Sequence, residues 1–218
     1  ENTSGNTGFG LAMIAAVRGY KSIFTMPDKM SDEKIQVLRA YGARVVITPT
    51  AVSSDHPEHY LQKAKAIAES TPGAVLADQF HNPANPRAHY ETTGPELWEQ
   101  SEGRITHLFA GAGTGGTITG AGRYLKERNP AIKIMGVDPK GSVIAPFFNT
   151  GVLPEGEPYQ VEGLGNDKIP DPLELDLVDS FVTVTDRDAF VMARRLTREE
   201  GLFVGGSSGL IVHAALEV

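Results

Sequence analysis

No cysteine occurs among the 218 residues. A disulfide framework, a thiolate nucleophile and a cysteine-ligated zinc site are therefore excluded. Positive charge is also scarce: 20 Lys and Arg face 27 Asp and Glu, a formal net charge of −7, which leaves no electrostatic footprint for nucleic acid. The one basic cluster, Arg194, Arg195 and Arg198, shares its helical stretch with Glu199 and Glu200 and reads as a solvated face. Long apolar runs are missing as well. "GLAMIAAV", near the start, is too short to span a bilayer, and no basic segment precedes it as a secretory signal would require. The chain thus reads as soluble, with no membrane partner and the cytoplasm as its default location. The six histidines, His56, His59, His81, His89, His107 and His213, show no metal-ligand spacing, so packing or surface positions are expected and no metal.

What the sequence does contain is a repeated alternation of short apolar runs and helical segments. "NTGFGLAMIAAVRG" has helical spacing and stops at Gly19, "KSIFTMP" reads as a strand, "DEKIQVLRAYG" as a helix behind the candidate caps Ser31 and Asp32, and "RVVITPT" as a second strand. The rhythm continues through the helix "EHYLQKAKAIAES", the strand "AVLAD", the helix "RAHYETTGPELWEQ", the strand "ITHLFAG", the helix "TITGAGRYLKERN" and the strand "KIMGVDP". Residues 139 to 172, with Pro139, Pro146, Pro154, Pro158, Pro170 and Pro172, break it and read as a long loop, functional or disordered. Regular structure resumes with "FVTVT", "DAFVMARRLTREEG", the strand "LFVG" and a last helix after "GSSG". Strands apolar on both sides and joined by helices predict an α/β fold with a parallel sheet covered on both faces.

Three glycine-rich turns punctuate this pattern, each opening a helix. In "GAGTGGT", Gly111, Gly113 and Gly116 satisfy the dinucleotide spacing G-x-G-x-x-G, and Asp138, 22 residues after Gly116, stands where a ribose would want an acid. Thr114 and Thr117 add hydroxyls beside the helix-start amides, which suits a compact phosphate monoester instead. "TSGNTG", at 3 to 8, is another nest of donors, shaped for a carboxylate; "VGGSSGL", at 204 to 210, places Ser207 and Ser208 at a helix start. Helix capping alone would also account for these last two. Turns at the carboxyl ends of strands in an open α/β sheet are expected to face one crevice. A nicotinamide dinucleotide leaves two of the three unexplained, whereas pyridoxal phosphate carrying an amino acid gives each a task.

"TSGNTG", "DQFHNPANP", "GAGTGGT", "VEGLG" and "GGSSG", in that order, resemble the pyridoxal-phosphate β-family of fold type II, the family of cysteine synthase and cystathionine β-synthase. Within it, "PDKMSDEKIQVLRAYGARVVITPTAVSSDHPEHY", "NPRAHYETTGPELWEQ" and "VEGLGNDKIP" resemble the cystathionine-forming branch more than the cysteine synthases. The resemblance implies a two-lobed, parallel-sheet fold like that of the tryptophan synthase β chain, with residues 1–82 the remaining part of an N-terminal α/β domain and 83–218 most of a C-terminal one. It implies pyridoxal 5'-phosphate as cofactor and β-replacement on L-serine by homocysteine, or by sulfide. O-acetylserine with sulfide is the alternative substrate pair, and a dinucleotide-binding oxidoreductase or an inactive binding protein the alternative of another class.

The family pattern carries over residue by residue. Thr3, Ser4, Gly5, Asn6 and Thr7 would grip the substrate carboxylate together with Gln79, and Asn6 would also meet the cofactor. Gly113, Thr114, Gly115, Gly116 and Thr117 would cradle the phosphate, Ser207 would meet the pyridine nitrogen, and Gly163 and Gly165 would line the mouth. Asn166 and Lys168 lie near that mouth at positions where relatives differ. A homodimer is implied by the family. The Schiff-base lysine is not found: none of Lys21, Lys29, Lys34, Lys63, Lys65, Lys126, Lys133, Lys140 and Lys168 has the family setting, so no catalytic residue is assigned. The chain opens on a site loop without a Met and closes inside "LIVHAALEV", and the expectation is a fragment cut at both ends that by itself is inactive.

Overall fold

The apolar runs "IFTMP" and "RVVIT" become neighbouring parallel strands, β1 (Ile23–Pro27) and β2 (Arg44–Thr48), paired from Ile23 opposite Arg44 to Pro27 opposite Thr48. They belong to the first of two units, Glu1–Gln79 and Phe80–Val218, into which the chain divides. The structure is a computed structural model that describes residues 1–3, 5–53 and 55–218.

In the first unit the opening residues run parallel to β1. Asn2 bridges Thr25, and the Thr3 amide donates to the Thr25 carbonyl at 3.1 Å. Helix α1 (Asn6–Arg18) then carries the chain back to β1 and ends at Gly19, whose φ of 73° supplies the left-handed residue that lets Tyr20 N–H reach the Ala15 carbonyl at 2.8 Å. Parallel neighbours need a crossover between them, and α2 (Asp32–Ala40) provides it, followed after β2 by α3 (Tyr60–Ser70). Phe24 and Met26 from β1 meet Ala12 of α1 and Leu38 of α2 in one buried cluster.

The second unit starts with α4 (Ala84–Ala88), one π-helical turn at His89–Thr93, and α5 (Gly94–Gln100). Strands β3 (His107–Gly111), β4 (Lys133–Pro139) and β5 (Ser180–Val184) form a parallel sheet in the order β3-β4-β5. Helix α6 (Gly116–Arg128) joins β3 to β4; α7 (Ile144–Thr150) and a 3-10 turn at Leu175–Leu177 lie between β4 and β5; α8 (Asp186–Glu200) and α9 (Gly206–Glu217) complete the chain. Successive residues of β4 serve opposite faces, as strand geometry demands. Ile134 joins the cluster of Ile118, Leu125 and Ile132, while Val137 joins Val184, Ala189, Leu210 and Ala214 on the side of α8 and α9. The sheet is therefore covered on both sides, as the apolar strands predict.

Four segments depart from the sequence reading. "AVLAD" and "LFVG" make no strand: residues 74–78 and 201–205 are irregular, with Val75 90% and Phe203 93% exposed. Strand-like composition gives a strand only where a ladder partner exists, and neither has one among the described residues. The expected single helix over 87–100 is split by the π turn, and α7 falls inside what reads as one long loop. Pro146 misleads there because it occupies the first turn of α7, where no intrahelical N–H is needed. Among the described residues no helix is long and apolar enough to cross a membrane.

Helix α6 lies so near the start of its unit that a Cβ on Gly120 would come within 2.1 Å of the Pro86 carbonyl oxygen, whereas one on Gly10 of α1 meets nothing within 4 Å. Gly120→Ala is expected to destabilise the protein by about 1–3 kcal/mol through overpacking, and Gly10→Ala to stabilise it by about 0.5–1 kcal/mol. Urea unfolding of the two variants checks both signs; equal effects would refute the close approach.

Candidate functional site

In the first unit the predicted carboxylate loop begins at Thr3, next to the bridge from Asn2 to Thr25. The Thr3 hydroxyl accepts the amides of Gly5 at 3.0 Å and Gly8 at 3.1 Å, and a Cβ on Gly8 would lie 2.6 Å from the Thr3 methyl carbon. Thr3 thereby fixes the turn from strand to helix. Gly5 has φ 156° and ψ −89°, Asn6 begins α1 and is exposed, and Thr7 donates through its hydroxyl to Gln79 Oε1 at 2.6 Å. Gln79 is anchored in turn, its Nε2 donating to the Asn2 carbonyl at 3.0 Å, while the Glu1 carboxylate accepts the Asp78 amide at 2.7 Å. Thr3, Gly5, Asn6, Thr7 and Gln79 are thus brought to one end of this unit. Ser4 lies outside the described residues. The first turn of α1 holds no acidic side chain, so the partial positive charge of the helix start is not neutralised from within it.

In the second unit the turn between β3 and α6 places Gly113, Thr114, Gly115, Gly116 and Thr117 as the spacing predicts. Gly115 is the N-cap residue at φ 83°, without a side-chain cap, and the first helical bond is Thr119 N to the Gly115 carbonyl at 2.9 Å. The amides of Gly116, Thr117 and Ile118 therefore precede the helix's own acceptors. Gly163 and Gly165, at φ 82° and 76°, come against this turn: Gly165 N–H donates to the Ala112 carbonyl at 2.7 Å, and a Cβ on Gly113 would lie 2.8 Å from the Gly163 oxygen. Ser207 is the second residue of α9, half-buried, on a helix packed against α8 and all three strands. Asn166 turns its carbonyl to the Val143 amide at 3.0 Å and its side chain to the Asp167 amide at 2.9 Å.

Two residues with no role in the sequence reading back the phosphate-type turn. Asn85 Nδ2 donates to Thr114 Oγ1 at 2.9 Å, and His89 places Nε2 3.2 Å from Thr117 Oγ1 and Nδ1 2.9 Å from Thr93 Oγ1. Burial lowers the pKa of His89 and favours its neutral form. The signal that could have found them is spacing. Asn85 and His89 are four apart, as are Gly116 and Gly120, so a polar helical row faces a bare one.

Asp138 has a different task from the ribose contact that a dinucleotide would require. It is 0% exposed, and its Oδ2 accepts the Ala145 amide at the start of α7 at 2.9 Å. Its Oδ1 is buried without a partner among the described residues. Among the described residues no group of three or more His, Asp or Glu could hold a metal ion.

The donor set fits a phosphate dianion: three helix-start amides, two hydroxyls and no carboxylate in the first turn. A family model for pyridoxal-phosphate dependent enzymes matches residues 1–218, and the chain belongs to that family. It is 50% identical over 218 residues to the cystathionine beta-synthase of Apis mellifera, covering 100% of this chain and 43% of that protein. The corresponding protein of Dictyostelium discoideum is 49% identical over 219 residues, with 99% and 43% covered, and that of Saccharomyces cerevisiae 47% over 214, with 96% and 42%. The chain spans about two fifths of the length of the curated relatives it matches.

Burial raises the Asp138 pKa from 3.8 to about 6, against the opposing hydrogen bond from the Ala145 amide. The native state thus holds this proton more tightly than the unfolded chain does. The contribution to stability is complete below pH 3.8 and is lost as pH rises through about 6. Relative to wild type, Asp138→Asn is expected to gain stability across that window, by about 2–3 kcal/mol. Denaturant unfolding at pH 4 and pH 7 measures the difference, and a pH-independent offset between the two proteins would count against it.

Proposed function

We propose that the protein is a pyridoxal-phosphate-dependent β-replacing enzyme that joins L-serine and L-homocysteine to form L-cystathionine and water. The observation that carries this reading is the extent of the likeness: 96–100% of the chain aligns with cystathionine beta-synthases at 47–50% identity. The phosphate-matched turn on α6 supports it independently.

Bound pyridoxal phosphate supplies an electron sink for loss of the serine α-proton and departure of the β-hydroxyl. Thr114, Thr117 and the amides of Gly116 to Ile118 would hold its phosphate. Ser207 would offer the ring nitrogen a neutral hydrogen-bond donor in place of a carboxylate, which would moderate the sink. Thr3, Ser4, Gly5, Asn6 and Thr7, with Gln79, orient the serine carboxylate, and the same loop excludes water once serine is seated. Gly163 and Gly165 line the mouth that admits the second substrate. The reading includes a cytoplasmic homodimer, and it places the alternative pair, O-acetylserine and sulfide, second.

The test is turnover of L-serine and homocysteine by the full-length protein with pyridoxal phosphate, with cystathionine followed by mass spectrometry. Faster formation of cysteine from O-acetylserine and sulfide would move the protein to the cysteine synthases. Gln79→Ala is expected to raise the KM for serine about 10- to 100-fold, the weight of one hydrogen bond to a charged group, and Thr7→Ala to raise it less, because the Thr7 hydroxyl proton goes to Gln79 Oε1, with cofactor affinity unchanged in both. An unaltered KM in both would remove Thr7 and Gln79 from the carboxylate site.

A further inference from the structure

Thr114 is the one hydroxyl in the turn itself, ahead of the helix, and a hydroxyl can meet an anion favourably only by donating its single proton. Asn85 Nδ2 already donates into that oxygen at 2.9 Å. The bond occupies an acceptor position and turns the hydroxyl proton away from Asn85. Asn85 is itself held against α6. Its backbone amide donates to the Asn82 carbonyl at 3.0 Å, and its Oδ1 lies 1.9 Å from where a Cβ on Gly116 would be. The side-chain amide therefore fills the space left by Gly116.

We propose that Asn85 is a positioning residue for the cofactor phosphate: by donating to Thr114 Oγ1 it presents the Thr114 proton to a phosphate oxygen. Without that donor, the hydroxyl rotates between donating and accepting orientations, of which only the first attracts the phosphate. This inference rests on the phosphate reading of the turn given above. It assigns Gly116 a second task, making room for the residue that orients its neighbour.

The experiment is a double-mutant cycle on the full-length protein with Asn85→Ala, Thr114→Val and the pair, reading the dissociation constant of pyridoxal phosphate and the ³¹P resonance of the bound cofactor. Asn85→Ala is expected to weaken pyridoxal phosphate about 5- to 20-fold, and the pair to be within about 2-fold of Thr114→Val alone, because coupled residues are not additive. The ³¹P resonance should move in Asn85→Ala, and affinity for pyridoxal, which lacks the phosphate, should not change. Asn85→Ser, with a smaller polar group, is measured beside it in case the alanine variant does not fold. Additive losses, an equal loss of pyridoxal affinity, or an unmoved ³¹P resonance at wild-type affinity would each overturn the assignment while leaving the phosphate site intact. A wild-type protein that binds pyridoxal and pyridoxal phosphate equally would instead remove the phosphate reading, and this inference with it.

Discussion

The second unit depends on one close approach, that of the segment around Asn85–Tyr90 to the bare face of α6. Gly116 and Gly120 are four residues apart, and a Cβ on either would collide with Asn85 Oδ1 or the Pro86 carbonyl oxygen. Tyr124 continues the same row and reverses the fit: it is the large residue, and Gly94 opposite it is bare, with no room for a Cβ beyond 2.7 Å. Tyr90 meets the same ring edge-on at 5.6 Å between centroids. Bare positions on one helix and then on its neighbour make a continuous seam. Because packed interiors transmit displacement rather than absorb it, an added methyl group near Gly116 would move the two threonines that frame the turn.

The first unit solves the same local problem with a different donor count. At the start of α1 the Thr3 hydroxyl consumes the amides of Gly5 and Gly8, which among the described residues leaves those of Asn6 and Thr7 between them. At the start of α6 the N-cap is Gly115 and no side chain caps the helix, so three successive amides remain. Two amides suit an anion with two oxygens. Three amides with two hydroxyls match the three oxygens of a phosphate. The two helix starts, alike in being glycine-rich, are thereby suited to different anions.

Periodicity is a good guide to most of the elements whose signal is local. Helices α1, α2, α3, α6 and α8 and all five strands follow from spacing, caps and β-branched runs in their own residues. The failures share one physical cause, dependence on something distant in sequence. Residues 74–78 and 201–205 have strand composition, yet a strand is a property of a pair, and composition cannot name the partner. The π turn at His89–Thr93 follows no local rule; it falls where the chain lies against α6, so that His89 can face Thr117. Likewise the site loops are legible as donor-rich turns, whereas the four-residue spacing of Asn85 and His89 is visible without its meaning, because their function is expressed only through hydroxyls 28 to 29 residues away.

The dinucleotide spacing of Gly111, Gly113 and Gly116 illustrates what separates a motif from a site. In a dinucleotide fold the glycines make room for the pyrophosphate and the acid is available to a ribose. Here the chain itself fills those spaces: Leu164 lies over Gly111, the Gly163 carbonyl over Gly113, Leu173 over Gly115 and Asn85 over Gly116. Asp138 is buried and turned to the α7 amide. Once these groups are committed within the protein, what remains for a ligand is a short arc of amides and hydroxyls at one helix end. That arc can hold a single phosphate group, whereas a pyrophosphate with its ribose needs the glycine surface and the carboxylate that the fold has already used.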